Sequence, residues 1–162
     1  MDSRFSQASD VAAPLPIVGG PTFAFRHRIK RAMWRLAWAV LAGWTPPSWM
    51  PWRRLVLSAF GARIHPAAMV RGGARIWWPG HLRMGAHASI GPDVICYNVA
   101  QITLGDGAIV SQRAHLCAAG HDVDDPDFPL RPKPISIGEG AWIAAEAYVG
   151  PGVSVGAGAV LG

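Results

Sequence analysis

The chain has 162 residues, 51% apolar and 15% charged, so it can bury one core of ordinary domain size and is not a disordered chain. Nineteen glycines and fourteen prolines without a collagen period impose many short elements and turns, which excludes a helical bundle. The net charge of +5 is uneven: residues 1–60 carry eight Arg and Lys against Asp2 and Asp10, whereas residues 61–162 are close to neutral. A basic segment ahead of a neutral body points to an anionic partner for that segment.

The two cysteines, Cys96 and Cys117, have no tight spacing, demand no disulfide and fit a reducing, cytoplasmic compartment. Residues 1–25 lack the charged start, apolar run and cleavage site of a secretory signal. The longest uncharged stretch, Leu36 to Trp52, is broken by Pro46, Pro47 and Pro51, so nothing here supplies the roughly 20 apolar residues that span a bilayer.

In chain order, residues 1–21 carry no periodicity and read as a flexible arm. Residues 22–60 are predicted to form amphipathic helices. Ile29, Met33, Leu36, Ala37, Val40, Leu41 and Trp44 recur at steps of three and four, one apolar stripe of an α-helix that Gly43 and Thr45-Pro46-Pro47 end. Ser48 and Pro51 announce a second helix through Leu57 and Phe60, closed by Gly61. These helices hold Trp34, Trp38, Trp44, Trp49 and Trp52, with Arg28, Arg31 and Arg35 beside the stripe. Such a composition suits an interfacial membrane helix, and equally a helix that packs on the body with its indoles as filler. No nucleic-acid partner is expected.

From residue 61 the period is six. Ile64, Val70, Ile76 and Leu82 are six apart; Met84, Ile90 and Cys96 follow after a two-residue slip, then Leu104, Val110 and Leu116 after an eight-residue step. After a longer break come Ile137, Ile143, Val149, Val155 and Leu161. Glycine often follows the aliphatic residue, as at Gly85, Gly91, Gly105 and Gly138, and a small residue sits four positions on. A period this short means a chain coiling round a narrow axis, each strand giving one side chain to a stacked interior. The break between Leu116 and Ile137 then puts an insertion, residues 118–134, outside the coil. Solenoids place such insertions on one, often functional, face.

This pattern resembles the hexapeptide-repeat acyltransferases over residues 61–162. Tyr97-Asn98, Ile102-Thr103-Leu104-Gly105-Asp106, Ser111-Gln112-Arg113-Ala114, Gly120-His121-Asp122 and Trp142-Ile143-Ala144 are similar to the sugar O-acetyltransferase branch, and to its colanic acid biosynthesis group in particular. Lys30-Arg31-Ala32-Met33-Trp34 is similar to the start of that group. The resemblance implies an all-β fold, a left-handed parallel β-helix of three hexapeptides per coil, with a short N-terminal α-helical segment. It implies a homotrimer using acetyl-CoA as donor, a sugar or lipid-linked glycan as acceptor, and no metal.

It also implies roles for particular residues. His121, where the insertion departs, corresponds to the general base, and imidazole suits that task near neutral pH. Asp93, Asn98 and Asp122 fall where acceptor contacts lie, although Asp122 equally reads as a turn cap. Trp142 and Ala145 match the acyl-CoA channel, with Ala144 in place of the usual glycine. Cys96 sits at a repeat position and reads as a buried hydrophobe; Cys117 is no nucleophile, because the resembling enzymes transfer directly. Those enzymes continue through another coil and a tail that contact CoA, whereas this chain stops at Gly162. Two alternatives remain: a carbonic-anhydrase-like zinc lyase on the same fold, drawing on His81, His87, His115 and His121, and a non-catalytic trimeric scaffold. The lyase is disfavoured by the different places of His87 and His115 within their hexads.

Overall fold

An aliphatic side chain at every sixth residue meets its equivalents only if the backbone turns a corner after each short strand. In the computed structural model, which describes residues 23–162, the chain does this for about five turns. Strands are numbered in chain order. The first face stacks β1 (Arg63–Ile64), β4 (Leu82–Met84), β7 (Ile102–Leu104), β12 (Ile135–Ile137) and β15 (Ser154–Val155) in parallel. The second stacks β2 (Met69–Val70), β5 (Ser89–Ile90), β8 (Ile109–Val110), β13 (Trp142–Ile143) and β16 (Val160–Leu161). The third stacks β3 (Arg75–Ile76), β6 (Ile95–Tyr97), β9 (His115–Cys117) and β14 (Tyr148–Val149). The result is a left-handed β-helix. The arm predicted over 1–21 lies outside the described residues.

Register turns the six-residue period into three interior columns. Ile64, Met84, Leu104, Ile137 and Val155 stack on the first face, and Val70, Ile90, Val110, Ile143 and Leu161 on the second. Ile76, Cys96, Leu116 and Val149 stack on the third. Leu82 departs from the sequence reading. It pairs with Ile102, and Ile102 with Ile135, in a separate buried row at the start of the three-residue strands. The corner between third and first faces holds two extra residues in the first coils, partly as the short helical turn Pro79–His81, so its six-residue distance from Ile76 has no structural meaning. The slip and the eight-residue step are therefore one widened corner, stacked on itself. The long insertion leaves from the same corner one coil later.

At other corners the backbones approach so closely that a side chain has no room. A Cβ at Gly105 would stand 2.7 Å from the Glu139 backbone nitrogen, inside any real contact distance.

Helix α1 (Phe25–Ala37) runs into a π-helical turn, Trp38–Ala42, and a short helical turn, Pro47–Trp49, leads into α2 (Met50–Ala59). They lie against the N-terminal coil. The Trp34 indole N–H, in a buried ring, donates to the Ile76 carbonyl at 2.7 Å. Arg53 is fully buried and, among the described residues, pairs with no carboxylate; its guanidinium donates to Thr45 Oγ1 at 2.8 Å, the Val70 carbonyl at 2.9 Å and the carbonyls of Thr45 and Pro46. Burial, with Arg71 nearby, pulls that guanidinium below its ordinary pKa.

The periodic stripe of α1 does not face the body. Ile29, Met33, Leu36, Val40, Leu41 and Trp44 are exposed, whereas His27 and Trp34, with the half-buried Arg31 and Trp38, form the side turned inward. Among the described residues no helix is long and apolar enough to cross a membrane.

Leu116, fully buried in the third column, has neighbours fixed by register above and below. Leu116→Ala is expected to cost about 2–5 kcal/mol in urea unfolding. Leu55→Ala, at a 60% exposed side chain of α2, is expected to change stability by under about 0.5 kcal/mol.

Candidate functional site

The insertion is a folded-back ribbon. β10 (Ala119–His121) pairs antiparallel with β11 (Leu130–Pro132), His121 opposite Leu130, and the Lys133 N–H donates to the Ala118 carbonyl as the chain re-enters the coil. Its tip is closed by short acidic side chains: Asp125 accepts the Asp127 N–H at 3.0 Å through its carboxylate and the Phe128 N–H at 2.8 Å through its carbonyl. Phe128 takes a left-handed φ of 46°.

That conformation lays the Phe128 ring on the His121 imidazole, 4.4 Å between centroids and 8° between planes. It also brings the Phe128 carbonyl to 2.7 Å from His121 Nδ1. A carbonyl only accepts, so Nδ1 carries the hydrogen, which in the neutral ring leaves the lone pair on Nε2. The residue is exposed.

Asp122 does not orient the imidazole. Its N–H donates to the Pro129 carbonyl at 3.1 Å, its Oδ1 accepts the Asp124 N–H at 3.3 Å, and its Oδ2 faces Arg131 Nε at 3.3 Å. It closes the turn and ties the two strands of the ribbon. Asn98 is one coil away at the root of the insertion, since its neighbour Tyr97 pairs with Cys117. It is fully buried, its amide exchanging both hydrogen bonds with the Trp78 backbone, at 3.1 Å as acceptor and 2.6 Å as donor. The expected acceptor contact is thus not presented at Asn98, because the widened corner uses its side chain to hold itself. Asp93 is exposed at the corner between second and third faces with φ 57°, away from the insertion.

Trp142 and Ala145 are brought together with each other but not with His121. Trp142 stands outward on the second face, its indole N–H donating to Ser111 Oγ at 2.8 Å, and Ala145 follows on the adjoining corner. In register with Trp142 lie Ile109 and Val160, all three exposed. Phe128 and Arg131 were not singled out from the sequence; an aromatic before a proline and an arginine after an acidic run were their only marks. Of the four histidines weighed as zinc ligands, His81 faces the Asn98 carbonyl, His115 packs edge-on against Tyr148 and His87 occupies a corner at φ 58°. Among the described residues no three His, Cys, Asp or Glu side chains gather into a metal-binding group.

Comparison with known proteins bears on the reading. The chain is 36% identical over 136 residues, 84% of its length and 75% of the relative's, to WcaF of Escherichia coli strain K12, named for acetyl transfer in colanic acid biosynthesis. Its fold matches a maltose O-acetyltransferase from Clostridium difficile 630 with a TM-score of 0.68 at 19% identity, over 85% of this chain and 78% of the other. It likewise matches a hexapeptide-repeat acetyltransferase from Vibrio cholerae solved with acetyl coenzyme A, with a TM-score of 0.68 at 22% identity, over 82% and 71%. No family profile matches the chain.

The two thiols differ in reach. Cys96 is fully buried in the third column, where burial pushes it up to about 12. Cys117, at the root of the insertion, is half-buried and directs its thiol to the Ala119 carbonyl at 3.1 Å. Peptide mapping after iodoacetamide treatment of the native protein at pH 8 is expected to find Cys117 alkylated and Cys96 intact. Equal labelling of both would contradict this packing.

Proposed function

The chain belongs to the hexapeptide-repeat acetyltransferases, and on that premise we propose that it transfers acetyl from acetyl-CoA to a hydroxyl of a sugar destined for a polysaccharide, with His121 as general base. The observation that carries the assignment is the exposed His121 imidazole held with Nδ1–H on the Phe128 carbonyl, which in the neutral ring leaves the lone pair on Nε2. A sugar hydroxyl attacks a thioester poorly until its proton is drawn away. In the proposed step Nε2 takes that proton as the oxygen bonds to the acetyl carbonyl carbon. The carbon–sulfur bond then breaks, the thiolate of coenzyme A leaves, and His121 returns the proton to it. The positive charge formed on the ring is eased by the carbonyl at Nδ1.

Trp142 and Ala145 are assigned to the donor side, and the assembly to a homotrimer in which His121 of one chain faces Trp142 of the next. The distance of His121 from the second face within one chain supports this, as does the exposed row Ile109, Trp142 and Val160. Residues 22–60 are assigned to the surface of the inner membrane. The exposed stripe of α1 supports that reading, as does the absence of any acidic residue from this segment. Arg26, Arg28 and Lys30 flank the stripe, whereas Arg31 turns to the body.

His121→Ala is expected to lower acetyl transfer by roughly 10²- to 10⁴-fold while light scattering gives a trimer for both proteins. Near-normal turnover would remove His121 from the chemistry, and a wild-type monomer would remove the shared site. Co-sedimentation tests the membrane reading separately. Wild type is expected to pellet with anionic vesicles at low salt and to be released at high salt, since each basic residue near such a surface contributes about 1 kcal/mol. Arg26/Arg28/Lys30→Gln should pellet less; equal recovery would sink the attachment.

A further inference from the structure

Between α1 and the third face of the solenoid lies a groove of about 860 Å³ that the proposed chemistry does not use. Arg31 and Arg35 line it from the helix and Arg75 from β3, with Trp77 and Tyr97 as aromatic walls and no acidic residue in the lining. The Arg31 guanidinium lies over the Trp77 ring, 4.0 Å from its centroid, yet its Nε is buried and meets no hydrogen-bond acceptor. Among the described residues no carboxylate pairs with Arg31, Arg35 or Arg75; the ion pairs are made by Arg113 and Arg131. Burial pulls Arg31 below its ordinary value, with Tyr97 opposing the effect and Arg35 adding to it.

Three arginines lining one groove, with no carboxylate paired to them among the described residues, make a site short of an acceptor rather than a donor. Planar guanidinium forks match the oxygens of phosphate, and the Tyr97 ring in the groove lining can pack against a sugar or base beside it, Trp77 being already covered by Arg31. Two further features set a direction. Tyr97 pairs in register with Cys117 at the root of the insertion, so the groove and the His121 ribbon belong to one side of the solenoid. Leu36 lines the groove and also belongs to the exposed apolar stripe of α1.

We propose that this groove holds the phosphate or pyrophosphate of the acetyl acceptor, its glycan extending along the third face toward His121. Where a lipid carries the phosphate, the chain runs out over the exposed stripe. The acceptor's role rests on the reading above, whereas binding is measured without transfer.

Calorimetry with inorganic pyrophosphate is the first measurement, on wild type and on Arg35→Gln/Arg75→Gln. Both side chains are exposed, so the variant is expected to melt with wild type and to bind pyrophosphate at least about tenfold more weakly. Co-sedimentation with phosphatidylcholine vesicles, plain or carrying a polyprenyl monophosphate, separates the sources. Capture by the phosphorylated lipid that Arg35→Gln/Arg75→Gln loses and Arg26/Arg28/Lys30→Gln keeps identifies a lipid-borne acceptor; pyrophosphate binding without such capture identifies a soluble one, such as a nucleotide-linked sugar. Unchanged pyrophosphate affinity in the variant would overturn the inference, and so would an equal loss of coenzyme A binding, which would give the arginines to the donor. Intact pyrophosphate binding in a protein that transfers no acetyl would strike the proposed function alone.

Discussion

Each strand of this solenoid is too short to send more than one or two side chains inward, and most of the molecule follows from that limit. Three columns of aliphatic residues fill a triangular interior, and at Gly105 the stacked corner leaves no room for even a methyl group. Such an interior cannot absorb an extra residue, so any added length must leave the coil. In this chain it leaves repeatedly at the corner between third and first faces: two residues beside Trp78, two beside Asn98, then the whole ribbon bearing His121. The widened corners are tied to one another, since Asn98 holds the Trp78 backbone and its own carbonyl faces His81. The ribbon therefore rises from a ledge already built by the coils before it.

A stack of parallel strands also has ends, and the first coil has no predecessor to take its backbone groups. Here the N-terminal helices take that place. Trp34 donates to the Ile76 carbonyl, Arg53 to that of Val70, Arg54 to that of Pro66, and Met50 Sδ accepts the Val70 N–H. Indole and guanidinium carry donors and no acceptor, which is what a row of open carbonyls requires. Part of the tryptophan and arginine content of residues 22–60 is thus structural. The remainder faces outward on the opposite side of the same helices.

This division explains what could be read from the sequence. The six-residue period determined the columns because nothing else satisfies Ile, Val and Leu at that spacing, and fourteen of the fifteen repeat positions fall in them. Leu82 was misplaced because spacing alone cannot distinguish a repeat from a widened corner. The stripe of α1 was legible as a stripe, but its side was not: a helix with indoles on one face and aliphatics on the other can bury either. Asn98 and Asp122 were recognisable as polar residues near the insertion. Their hydrogen-bond partners, the Trp78 backbone and Arg131, are fixed by a fold that brings distant segments together.

The orientation of His121 carries the same lesson into the chemistry. Its Nδ1 partner is a backbone carbonyl rather than a side chain. What holds the carbonyl in position is the conformation of the tip: Asp125 bonded to the Asp127 and Phe128 N–H groups, Asp122 paired with Arg131, and Phe128 in a left-handed φ with its ring against the imidazole. The acidic side chains Asp122 and Asp125 thus help frame the turn that orients the imidazole. The orientation of the imidazole is thus set by the shape of a turn, through residues of the tip rather than through a neighbouring carboxylate.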